Sequence, residues 1–199
     1  SAIGLRAGIN LTNAAWTKAS ETTSLLGKSG VSLDAMLNPF GFTRHYNWDS
    51  PVGLNLYGGY ELGQLQLVHT NINDKTSGRY AGYRLGAQFW AKITNDLRLT
   101  FEPNYILIEH FDRPDGRMKY SQTDFKLGLA VLFRNKLQRN YDVNNAKNDL
   151  PESGFFMGGG FGWNTTINKW RYTGKSRGLL LNFNGFVGYN FNMYSGAKL

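Results

Sequence analysis

The 199-residue chain contains no cysteine. Disulfide scaffolds, thiolate metal sites and cysteine nucleophiles are thereby excluded together, and the absence suits a polypeptide that must cross an oxidising periplasm. No stretch approaches the roughly 18 uninterrupted apolar residues that a membrane-spanning helix needs. Ser1 opens the chain without a charged leader or an apolar signal core, as expected of a mature or trimmed sequence. Charged residues make up only 18% of the chain and mean hydropathy is −0.40. Such a value does not exclude a spanning barrel, in which only alternate residues touch lipid. The net charge is +8, from 22 Lys and Arg against 14 Asp and Glu. Because the cations are scattered rather than gathered in a stripe, they suggest phosphorylated lipid headgroups in preference to nucleic acid.

What the chain does contain is alternation. In Arg79–Lys92, Leu85, Ala87, Phe89 and Ala91 hold one parity, and Arg84, Gly86, Gln88 and Lys92 the other. Leu97–Glu109 sets Leu97, Leu99, Phe101, Tyr105 and Leu107 against Arg98, Thr100, Glu102 and Asn104. Tyr120–Arg134 sets Phe125, Leu127, Leu129, Val131 and Phe133 against Asp124, Lys126, Gly128 and Arg134. Period two marks strands with one apolar and one polar face. All three segments are 13 residues or longer, against about 5–6 for a typical globular strand. In a soluble sheet the apolar face would be the core, whereas in a membrane barrel it faces lipid. Strand length favours the membrane.

Five further segments carry the pattern: Ile3–Thr12, Gly30–Asn38, Val52–Val68, Gly154–Thr165 and Gly178–Asn192. Val52–Val68 is taken as one bent strand, since a turn at Gly63-Gln64 would give an odd strand number. The predicted fold is all-β, a transmembrane antiparallel up-and-down β-barrel of about eight strands. Residues 1–199 would form a single outer-membrane barrel or a segment of a larger tandem one. Alternating from the tight turn Thr94-Asn95-Asp96 puts four polar loops, Ala14–Ser29, Asn71–Gly78, Phe111–Lys119 and Ile167–Arg177, on one side. That turn and both chain ends fall on the other, where Pro39–Pro51 and Asn135–Ser153 are long connections. The inward polar set then includes Arg6, Asp34, Glu61, Arg84, Lys92, Arg98, Glu102, Asp124 and Lys126, accompanied by Asn10, Asn55, Gln88, Asn104, Asn182 and Asn184. An eight-stranded barrel is just wide enough to be filled by side chains, so charges of both signs are expected to pair inside. Pro103 and Trp90 fit poorly. The first calls for a bulge or a position at the rim, and the second puts a large ring inside.

The segment GVSLDAMLNPFGFTRHYNWDSPVGLNLYGGYEL, Gly30–Leu62, resembles the fourth strand, connection and fifth strand of OmpA-like barrels of the Bacteroides or Bacteroidota type. RLGAQFWAKITNDLRLTFEPNY and FKLGLAVLFRNK, within Arg79–Lys136, resemble strands six to eight of the same family. Phe155–Trp163 and Leu179–Phe191 are similar to its first two strands, although here they follow the eighth. The resemblance therefore implies either a rearranged strand order or part of a longer barrel. The peptidoglycan-binding domain that such barrels often carry after the last strand has no counterpart.

Chemistry-bearing residues are few. His69 and His110 would lie at loop-side strand ends, with Ser121 near His110, but no spacing among them or His45 specifies acyl transfer. Asn73-Asp74 and Asp112–Asp115 lack a Ca²⁺-loop spacing, and Gly158-Gly159-Gly160 lacks the Lys-Ser/Thr and helix of a phosphate loop. Trp16, Trp48, Trp163 and Trp170 suit interfacial girdles. Lys18, Lys28, Lys169, Arg171, Lys175 and Arg177 are expected in loops, within reach of lipopolysaccharide phosphates. The predicted protein is a structural or interaction component of the bacterial outer membrane, without catalytic activity, cofactor or metal. Its expected partners are outer-membrane lipid, lipopolysaccharide and other outer-membrane or periplasmic proteins. A porin or transporter built from a longer barrel is the alternative, and a soluble lipocalin-type barrel is a third reading.

Overall fold

The computed structural model describes residues 3–14, 17–19, 22–42, 50–69, 74–110, 118–134, 154–167 and 179–191. They form strands β1 (Ile3–Ala14), β2 (Thr17–Ala19), β3 (Thr22–Leu37), β4 (Val52–His69), β5 (Asp74–Lys92), β6 (Leu97–His110), β7 (Met118–Arg134), β8 (Gly154–Ile167) and β9 (Leu179–Phe191). A single 3₁₀ turn, Pro39–Phe42, is the other regular element among these residues. Every pairing is antiparallel, and β1 pairs with both β3 and β9. The sheet thus closes on itself, and closure removes the exposed edges that an open sheet would present. β2 adds only a three-residue hairpin to β3. The wall is an eight-stranded, antiparallel, closed β-barrel.

The strands rise and fall in sequence order, so local turn chemistry sets much of the register. Between β5 and β6 the Thr94 Oγ1 accepts hydrogen bonds from the backbone N–H of Leu97 at 3.0 Å and of Asp96 at 3.4 Å. The N–H of Ile93 donates to the Leu97 carbonyl at 2.9 Å. A hydroxyl in this role substitutes for a backbone turn partner. Val52–His69 is one uninterrupted strand through Gly63-Gln64.

Pro103 needs no bulge. The β5–β6 ladder runs from Gly86 opposite Asn104 to Phe89 opposite Phe101 with unchanged register, so the sheet tolerates the missing donor as a gap of two residue pairs. Trp90 does point inward, and its ring is accommodated by Gly53 on the adjacent strand, where a Cβ would collide with it. Gly162 is the tighter case. A Cβ there would meet the Phe125 carbonyl and lie 2.7 Å from the Lys126 Cα. Gly162→Leu is therefore expected to destabilise the barrel by about 1–3 kcal/mol through overpacking, read as a lowered urea midpoint.

Candidate functional site

The interior is layered. On the loop side Leu65, Tyr80, Ile106 and Ile108 form an apolar cluster. On the turn side Met36, Tyr57, Ala130, Leu132, Phe156 and Phe186 form a second. Between them, and reaching into the loop-side layer, lies one connected polar network. Arg6 holds Asp34 through Nε at 3.1 Å and Nη2 at 3.0 Å, and holds Glu102 through Nη1 at 3.0 Å. Arg84 reaches Glu61 at 3.2 Å and Asp34 at 3.9 Å. Lys28 contacts Glu61 at 2.6 Å, and the Tyr80 hydroxyl donates to the same carboxylate at 2.6 Å. Asn10 donates to Glu61 at 3.0 Å and accepts from Lys126 Nζ at 3.2 Å, and Lys126 lies 3.8 Å from Asp124. Gln88 donates to Glu102 and Gln122 to Asp124.

The network contains four cations, Arg6, Lys28, Arg84 and Lys126, and four carboxylates, Asp34, Glu61, Glu102 and Asp124; all eight are buried. Burying charge is tolerable only when it is paired and hydrogen-bonded, and this set balances to zero. The Arg6 guanidinium also lies 4.0 Å from the Tyr57 ring centroid, which ties the charged layer to the turn-side apolar one.

Of the nine lumen residues expected from sequence, seven meet in this network: Arg6, Asp34, Glu61, Arg84, Glu102, Asp124 and Lys126. Lys92 and Arg98 sit opposite one another at the turn-side end, where Arg98 lies 4.0 Å above the Trp90 ring. Lys28 corrects the sequence reading. It is no loop cation but a buried residue of β3, only 4% exposed, and it is unavailable to lipid phosphates. Lys28 and Tyr80 both escaped the predicted inward set. Parity could have found them, since Lys28 shares a face with Ser32 and Asp34, and Tyr80 with Arg84.

Outside, the chemistry inverts. Leu5, Ile9, Val31, Leu33, Leu85, Leu99, Leu127, Leu129 and Phe161 all face outward and are exposed. On β9 the outward apolar set runs from Leu181 to Phe191, ten residue steps. At ~3.3 Å per residue and the ~35–45° tilt of such barrels, this spans roughly 25 Å, the height of a lipid-facing band. Aromatic pairs lie near its two edges, with Leu62 and Ala81 one outward position beyond Tyr60 and Tyr83. Tyr60–Tyr83 (5.2 Å) and Phe125–Trp163 (6.0 Å) lie toward the loops, and Phe133–Phe155 (5.8 Å) and Tyr189–Phe191 (5.4 Å) toward the turns. Among the described residues no charged side chain faces outward between these levels.

The fold is a transmembrane β-barrel. No protein-family model matches the sequence, and no curated protein matches it. Among solved structures, the barrel is similar to the translocator domain of the autotransporter NalP from Neisseria meningitidis, at 10% identity and a TM-score of 0.35 over 96% of this chain and 89% of that one. It is also similar to the outer membrane protein AlkL, solved by solid-state NMR in DMPC bilayers, at 9% identity and a TM-score of 0.42 over 98% of this chain and 92% of that one.

The remaining sequence candidates are placed only in part. Trp163 faces outward at the loop-side aromatic level, whereas Trp16, Trp48 and Trp170 lie outside the described residues. So do His45, Asn73, residues 112–115, Lys169, Arg171, Lys175 and Arg177. His69 and His110 end β4 and β6 on the loop side, Asp74 opens β5 and Lys18 falls in β2; the side chains of these four are outside the description.

Proposed function

We propose that the barrel is an integral protein of the bacterial outer membrane with a structural and interaction role, that it conducts nothing and that it catalyses nothing. The observation that carries this reading is the interior, where a charge-neutral network spans the lumen between two apolar layers. A conducting pore needs a continuous wet path, and a filled eight-stranded barrel has little room for one. The loops on the side of Ala14, His69, His110 and Ile167 are then the parts that meet other envelope proteins. The resemblance of the segments quoted above to OmpA-like barrels of the Bacteroidota type supports the same reading. We expect no cofactor.

The test is electrical and electrophoretic. The refolded barrel is expected to need detergent for extraction, to migrate differently on SDS gels with and without heating, and to leave planar bilayers silent at ±100 mV. Discrete single-channel steps would instead favour the porin reading, and a monodisperse monomer in plain buffer would overturn membrane insertion altogether.

A further inference from the structure

Strands β3, β4 and β5 are neighbours in the wall and run 16, 18 and 19 residues. On β3, β4 and β5 the outward face changes chemistry at one height. The ladder row Ile9, Val31, Leu62 and Ala81 is apolar. The next row toward the loops is Leu11, Ser29, Gln64 and Arg79, and the one above it includes Gly27, Gln66 and Ser77. Ser29, Gln64, Gln66, Ser77 and Arg79 are all exposed. Together they surround a groove of about 500 Å³, with Gly27 leaving part of its floor bare.

We infer that this groove holds the phosphorylated saccharide headgroup of an outer-leaflet glycolipid, and the inference rests on the outer-membrane reading above. Height is the first argument. Gln64 and Arg79 lie two residues beyond Leu62 and Ala81, the last apolar outward pair on these strands, about 7 Å along the strand at ~3.3 Å per residue and roughly 5 Å above that pair after tilt. The outward apolar surface ends at that pair, so the groove opens at headgroup level, just above the hydrocarbon.

The donor set is the second. Two amides and two hydroxyls both donate and accept, as a polyol requires, and a guanidinium matches a phosphate in bidentate fashion. The volume lies within the range of small-ligand sites. Continuity is the third argument and separates a lipid from a free sugar. Directly beneath the groove Ile9, Val31 and Leu62 are exposed by 58%, 60% and 51%, an aliphatic surface on which the acyl chains of the same molecule can lie. The basic balance of the chain, +8 overall, adds attraction for an anionic headgroup.

The experiment uses the full chain, refolded in zwitterionic detergent and checked by its heat-dependent gel mobility. The probes are lipopolysaccharide without O-antigen and, for a phosphate without sugar, phosphatidylglycerol. Wild type is expected to retain lipopolysaccharide in preference. The combined Gln64→Ala, Gln66→Ala and Arg79→Ala variant should bind it about tenfold more weakly, with phosphatidylglycerol binding unchanged. The single Arg79→Gln exchange, which keeps shape and both glutamines, should lose about fivefold. A folded Arg79→Gln barrel with unaltered lipopolysaccharide affinity overturns the assignment and leaves the membrane reading intact. Equal wild-type affinity for both probes overturns it as well. A chain that never acquires heat-dependent mobility counts against the barrel reading instead.

Discussion

Replacing Glu61 by leucine is expected to lower the unfolding free energy of the membrane-inserted barrel by about 3–5 kcal/mol, the penalty for stripping one partner from a buried ion pair. Glu61 receives Lys28, Arg84, Tyr80 and Asn10 within 3.2 Å and is fully buried. Its removal leaves Lys28 without its carboxylate and Arg84 with only the longer contact to Asp34 at 3.9 Å. The appropriate measurement is urea unfolding in lipid vesicles, followed by tryptophan fluorescence and by loss of the folded gel band. Adding Lys28→Met should recover part of the loss, because the orphaned ammonium goes with it. A coupling of about 1–3 kcal/mol between the two sites is expected from a double-mutant cycle. If Glu61→Leu unfolds at the wild-type midpoint, the carboxylate is not the hub described.

The second large effect lies on the opposite face of the wall. Leu129 sits at the middle of the outward run Phe125–Phe133 on β7, half-exposed. Leu129→Arg should destabilise the inserted barrel by about 2–4 kcal/mol, the penalty for a cation at the bilayer midplane. Ser121→Arg, on the same face of β7 but near the loops, should shift stability by no more than about 1 kcal/mol. This depth dependence is diagnostic. On a water-exposed sheet both replacements would be nearly neutral, so equal small effects would mean that the apolar face does not meet lipid.

The same two faces explain what was legible in the sequence. Alternation exists only where one side of the wall meets hydrocarbon and the other meets the packed interior. On the turn side the apolar band reaches almost to the strand ends, and the sequence places Ile3, Val52, Lys92, Leu97, Arg134 and Gly154 at the boundaries the structure has. On the loop side several strands continue past the band, and both faces become polar. β3 begins at Thr22 rather than Gly30, and β5 at Asp74 rather than Arg79. Within those stretches, TTSLLGKS and DKTSG, no period survives to be read. Starting the strand at Gly30 makes Lys28 a loop cation, although its parity with Ser32 and Asp34 points inward. The inward parity of Arg6, Glu102 and Lys126 was legible because Leu5, Phe101 and Leu127 flank them on the lipid side. Which carboxylate each cation would choose was not, because that depends on the stagger between strands. The closed register brings Arg6 to Glu102 across 96 residues of sequence.

Closure has a kinetic corollary. Except at one seam, each long strand of the wall pairs with its next long neighbour in the chain, by contacts of modest sequence separation. The seam joins β1 to β9 over twelve residue pairs, beginning with Ile3 opposite Phe191. Until β9 arrives, β1 and β8 each present a row of unsatisfied amides and carbonyls, which hydrocarbon does not tolerate. Loop-closure entropy also makes this the slowest contact to find. Every strand from β1 to β9 must therefore be available before the membrane can accept a finished wall. Assembly is governed by its last strand, and lesions in Leu179–Phe191 should trap the chain in a chaperone-held or aggregated form rather than yield a slightly weaker barrel.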